Sequence, residues 1–114
     1  MYCDYIVKRC TQYKLYPMIY TMWSGKNAGI MNNFTSKELY TIGKKIGAKY
    51  KNNKNVILIA GGESSPPYID TVRLNAMGNG LSAGSAGANL ISVHPCFPIP
   101  MLNFIHTQRG WISI

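Results

Sequence analysis

Few side chains in this sequence are equipped for chemistry, so each can be weighed singly. Among 114 residues there are four acids, two histidines and three cysteines. Of the acids, Glu63 stands apart because it directly follows the apolar run Val56 to Ala60 and the pair Gly61-Gly62. Asp4 and Glu38 fall in first turns of expected helices, and Asp70 reads as a helix N-cap, where a carboxylate oxygen accepts from orphan backbone amides. Glu63 is therefore the candidate general acid/base. The alternative for it is a solvated loop carboxylate, or one paired structurally with a histidine. His94 and His106 each end a short apolar run and suit hydrogen bonding to a hydroxyl-rich ligand. Trp23 ends another run, and its ring offers an apolar face of the kind sugars stack on, or plain rim packing. Cys3, Cys10 and Cys96 have no C-x-x-C spacing, so they suggest neither a disulfide framework nor a zinc site. A metal site from His94, Cys96 and His106 has no recognised spacing. No metal and no cofactor is expected.

The elements that must position these residues follow from periodicity. Cys3, Ile6, Val7 and Cys10 recur at helical spacing and predict a helix over 2–13. The run LYPMIYTMW predicts a strand over 15–23, buried on both faces. Thr35 and Glu38 make a T-x-x-E capping box, and Leu39, Ile42, Ile46 and Tyr50 form one stripe, so a helix spans 35–51. Gly43 and Gly47 lie beside that stripe and are expected to bring the helix close to a sheet. VILIA predicts a central parallel strand over 55–61. Leu74, Met77 and Leu81 place a helix over 70–81, and the small-residue stretch SAGSAGA reads as a linker to a strand over 89–94. A last apolar run predicts a strand over 101–107. Helices alternating with strands call for parallel pairing through crossovers. The fold class is thus α/β, a partial (β/α)-barrel of about four parallel strands. A full eight-stranded barrel takes about 250 residues, so 1–114 forms a single domain of roughly half a barrel.

The formal charge is +8, and six lysines lie between Lys37 and Lys54. Most of them fall on the outward face of the second helix, as a solvated basic surface does, and nucleic acid is not the expected partner. No apolar run approaches the ~20 residues of a membrane span, and the N-terminus lacks an apolar leader core. Localisation is left open.

Three stretches together carry a resemblance: YPMIYTMW, then GKKIGAKYKNNKNVILIAGGE, then LISVHP followed by LNFIHTQRGW. They resemble the apiosidase-like glycoside hydrolases of the (β/α)8 clan, first catalogued as a domain of unknown function. That family shows a strand ending in Trp, a helix of the form YGRxLGxRYKDxPNIIW, a GGD, a strand ending in YHP and a strand of the form DFNMIQSGH. The likeness runs from the second barrel helix to the sixth strand. It implies a glycosidase acid/base at Glu63, where the family has Asp, and substrate contacts at Trp23 and His94. His106 falls where the family usually has Gln. It also implies that the first two and last two barrel strands are missing, with the nucleophile on the seventh. Two readings follow: a carbohydrate-related hydrolase fragment, inactive alone and completed by self-association or another chain, or a non-catalytic assembly or carbohydrate-contacting module.

Overall fold

A computed structural model describes residues 2–22, 30–62, 71–94 and 111–113. Three α-helices, α1 (Tyr2–Gln12), α2 (Ser36–Tyr50) and α3 (Thr71–Ser85), accompany four strands, β1 (Met18–Tyr20), β2 (Ile57–Gly62), β3 (Leu90–His94) and β4 (Trp111–Ser113). The strands form one sheet in the order β1-β2-β3-β4, and every neighbouring pair is parallel. The expected alternation of helices and parallel strands is therefore present. The strand expected over 101–107 lies outside the described residues, and the strand beside β3 is 111–113.

One apolar cluster joins the helices to one face of the sheet. Val7 of α1, Leu39 and Tyr50 of α2, and Leu74, Met77 and Leu81 of α3 pack with Leu58, Ala60, Ile91 and Val93. All three helices thus cover the same face. With the strands in sequential order, the crossovers β1-α2-β2 and β2-α3-β3 share one hand, a singly wound arrangement. Met31, in a 3₁₀ turn at Ile30–Asn33, is also buried in this cluster. Arg73 ties that turn to α3 by donating to the Phe34 carbonyl at 2.9 Å.

The start of α2 is set by the expected capping box: the Glu38 amide donates to Thr35 Oγ1 at 3.2 Å, and the Thr35 amide donates to Glu38 Oε2 at 3.3 Å. At the end of α1, Lys14 adopts a left-handed φ of 58°. Its amide donates to the Thr11 carbonyl, and the Leu15 amide donates to Cys10 at 2.8 Å, closing a Schellman motif. A Cβ is strained in that conformation, so Lys14→Gly is expected to stabilise the chain by roughly 0.5–1 kcal/mol, after allowance for glycine's greater freedom when unfolded. A higher urea midpoint at unchanged m-value checks this.

Three sequence readings are corrected. First, β1 covers Met18–Tyr20 rather than 15–23. Leu15 and Tyr16 are exposed, although ladder bonds reach one residue further each way, from the Ile57 amide to Pro17 and from the Thr21 amide to Ile59. Among the described residues β1 is an edge strand with one partner, β2, and its outer face is partly open, so an apolar run there need not be buried on both faces. Second, α3 runs on to Ser85, past the expected end at 81, taking in the first half of the presumed linker. Third, Gly43 and Gly47 meet α3, not the sheet. A Cβ on Gly43 would lie 2.9 Å from the Leu81 amide nitrogen, and one on Gly47 would lie 2.8 Å from that of Ser85. Gly80 and Gly84 return the contact, with distances of 3.0 Å to the Lys44 nitrogen and 2.9 Å to the Ala48 nitrogen. The small residues of α3 are thus one half of a backbone-to-backbone helix crossing, and that packing keeps the segment helical. Of the two described cysteines, Cys3 is exposed and Cys10 is partly covered.

α1 and α2 also meet at their surface, where Lys49 lies 3.4 Å from Asp4 and 5.5 Å from the centre of the Tyr50 ring. Tyr50, and then Asp4, hold the Lys49 pKa above its ordinary 10.5. The folded value is the higher one, so this contribution is complete at neutral pH and is lost only as pH rises through the folded value.

Candidate active site

In parallel α/β sheets, ligand sites form beyond the carboxyl ends of the strands. At that end of this sheet, β2 carries an irregularity. Ile59 pairs with Ser92, yet Gly62 pairs with His94, so two residues of β2, Ala60 and Gly61, stand opposite Val93 alone. The register shift is a bulge. It sits immediately before Glu63, the candidate acid/base, which itself lies outside the described residues.

Thr21 fastens this bulge. Its amide donates to the Ile59 carbonyl at 3.0 Å, and its hydroxyl lies 2.9 Å from the same oxygen and 3.0 Å from the Ala60 carbonyl. The ladder is broken here, and a side-chain donor supplies what a regular backbone partner would have given. Thr21→Val leaves the Ile59 bond from the amide but removes the hydroxyl bonds to Ile59 and Ala60. The expected cost is about 1–2 kcal/mol, read as a lowered urea midpoint.

His94 is the one sequence-predicted site residue whose structure is described. It is the last residue of β3, partly buried, and opposite Gly62 in the register. Its ring meets Tyr20, with centroids 6.0 Å apart and planes at 68°, an edge-to-face pair. Trp23 and His106 fall outside the described residues, as do Asp70 and Cys96. Two neighbours of the site escaped sequence reading, Tyr20 and Thr21. Both sit within the run YPMIYTMW, and a strand alternation anchored on Ile19, which packs on the helix side, would have turned Tyr20 to the other face.

That other face is partly open. Met18 and Tyr20 of β1 and Leu90 of β3 are 47%, 42% and 52% exposed. Ile59 and Ser92, which share this face by register, are fully buried between them. Ile59 also stays outside the cluster beneath the helices, so the sheet has apolar residues on both sides.

The two acids outside this region are engaged elsewhere: Asp4 with Lys49 and Glu38 in the α2 cap. Among the described residues, no three His, Cys, Asp or Glu side chains gather as a metal site would require, and no helix is long and apolar enough to cross a membrane. No curated protein matches the chain. A family model does: that of the apiosidase-like catalytic domain aligns with residues 1–114. The match spans the whole sequence, and a glycoside-hydrolase-related α/β fold accords with the parallel sheet and its one-sided helices: the chain belongs to the apiosidase-like catalytic domain family.

Proposed function

We propose that residues 1–114 form part of a (β/α)-barrel glycoside hydrolase in which Glu63 is the acid/base and Trp23, His94 and His106 contact the sugar. The observation that carries this reading is the position of His94. It ends β3 on the open side of the sheet, paired with Gly62, one residue before Glu63. The sequential parallel order with all helices on one face supports a barrel, because a closed barrel is wound in that way. Such a barrel needs strands beyond the four described, and the open face bearing Met18, Tyr20 and Leu90 is where its interior would lie.

Glycoside hydrolysis uses two carboxylates, about 5–5.5 Å apart when configuration is retained and about 6.5–9.5 Å when it is inverted. Asp4 and Glu38 are engaged elsewhere and Asp70 reads from the sequence as a helix N-cap, so this reading takes the partner of Glu63 from strands outside this chain. The chain alone is therefore expected to show no turnover of aryl apiosides above buffer, and Glu63→Gln is expected to change nothing. Clear hydrolysis that Glu63→Gln abolishes would show that the chain supplies its own second carboxylate, and would sink the expectation that it is inactive alone. The chain's His94 resonances are nevertheless expected to shift on titration with free sugars.

The exposed Met18 and Leu90 also favour a second reading, a non-catalytic module that covers this face by self-association. Unpaired strand edges and apolar surface favour such pairing. A well-behaved monomer in light scattering would count against it.

A further inference from the structure

Tyr20 and His94 belong to strands that are not neighbours. β2 lies between them, and adjacent strands run about 4.8 Å apart, so the backbones of β1 and β3 are separated by about 10 Å. The two rings nevertheless lie 6.0 Å apart. The register explains how they meet. Tyr20 stands opposite Ile59, and His94 stands opposite Gly62. Of the β2 residues after Ile59, Ala60 is packed in the cluster beneath the helices, and Gly61 and Gly62 have no side chain. Past Ile59, β2 therefore offers nothing to hold the rings apart. The glycine pair leaves a gap over which an aromatic ring from one side reaches an imidazole from the other.

We propose that Tyr20 is a positioning residue of His94, restraining the plane of the imidazole at the end of β3 across the Gly61-Gly62 gap. Rotation of a histidine ring about its outer bond is governed by a broad, weakly two-fold torsion, so the side chain alone does not set its plane. An edge-to-face neighbour does, because the electron-rich ring face and electron-poor edge attract each other in a narrow range of tilts. A residue that must present its ring nitrogens to a hydroxyl-rich ligand gains from such a restraint through prior orientation. This last consequence rests on the reading of His94 as a sugar contact; the restraint itself does not.

The test is NMR on the full chain. There are two histidines, so His106→Gln leaves His94 as the sole source of imidazole signals. Ring-to-ring nuclear Overhauser effects between Tyr20 and His94 are expected, with a ring-current shift on the imidazole protons. Tyr20→Phe is expected to keep both. Tyr20→Val, which retains strand propensity, is expected to lose the ring-current shift while α3 amide signals stay in place. Imidazole signals that ignore Tyr20→Val, or an absence of the ring-to-ring effects in both wild type and Tyr20→Phe, overturn the proposal; if Tyr20→Val does not fold, the wild-type and Tyr20→Phe spectra decide it. A titration with free monosaccharides of the chain with both histidines in place, its His94 signals assigned by comparison with His106→Gln, separates the two readings. Intact Tyr20–His94 signatures without any sugar response support the positioning role and overturn the carbohydrate reading of His94. A sugar response weakened several-fold in Tyr20→Val and preserved in Tyr20→Phe supports both.

Discussion

Valine placed at Gly47 or Gly84 is expected to cost more than ~3 kcal/mol and to leave much of the chain unfolded at room temperature. At both sites the new side chain would meet backbone rather than a side chain that can turn aside. A Cβ at Gly47 falls on the Leu81 carbonyl oxygen, and one at Gly84 falls on that of Lys44. The helices can only move apart, and in doing so they withdraw Leu39, Leu74, Met77 and Leu81 from their shared core. Alanine should be milder, at about 2 kcal/mol, because its better helix propensity returns about 1 kcal/mol of the overpacking cost. Gly87 is the control. It has a left-handed φ of 76° and nothing within 4 Å of an added Cβ. Gly87→Ala should therefore cost about 1–2 kcal/mol from conformation alone. Urea unfolding followed by circular dichroism would rank the variants. A Gly84→Val chain as stable as wild type would show that the crossing is not as close as described.

The second large effect is expected at Asn89. This buried side chain uses its Nδ2 to donate to the carbonyls of Asn53 at 2.9 Å and Val56 at 3.1 Å, while its Oδ1 has no partner. The amide must be oriented in this way, since the reverse would set its oxygen against two other acceptors. Asn89→Ala leaves the two carbonyls short of a donor and is expected to cost about 1–3 kcal/mol. Asn89→Asp is worse, because it turns an ionised carboxylate on those same oxygens in a buried place. The cost at neutral pH should reach about 3–5 kcal/mol. The pH dependence gives the cause away. Burial and the facing carbonyls raise the folded pKa of the introduced carboxyl above its unfolded value of about 3.9. The folded state then holds the proton more tightly, so the deficit is full above the folded pKa and shrinks as pH falls toward 4. A deficit of equal size at pH 7 and pH 4 would refute this account.

What could be read from the sequence followed the strength of local contrast. VILIA and the T-x-x-E helix were legible because an unbroken β-branched run and a capped, striped helix each have one physical solution. The end of α3 was not. Ser82, Ala83 and Gly84 give neither apolar periodicity nor a clear stop, and the segment stays helical because Gly84 and Ser85 pack against α2, a tertiary fact. Gly43 and Gly47 announced close approach without naming the partner, since glycine has no side chain to show polarity. Leu15 and Tyr16 looked like strand interior only because an apolar run cannot reveal that its strand lies at an edge. At the site, His94 could be picked out by its place after LISV, whereas Tyr20 could not. Recognising it requires the register of three strands and a bulge in the middle one, none of which is local. Glu63, Trp23 and His106 stand on sequence and family resemblance alone.

The opposite end of the sheet is held by two side-chain amides. Asn89 ties the approach to β3 to the residues before β2, and Asn55 Nδ2 reaches Thr11 Oγ1 at 3.2 Å and the Leu15 carbonyl at 3.0 Å, joining β2 to the end of α1. These amide clamps and His94 thus lie at opposite ends of one sheet, with the Thr21 bonds as a separate fastening at the His94 end. For engineering this amounts to modularity. Libraries at Tyr20 and His94 leave both the amide clamps and the Thr21 bonds in place. Thermal hardening can be sought separately around Thr11, Asn55 and Asn89, at the end of the sheet away from His94.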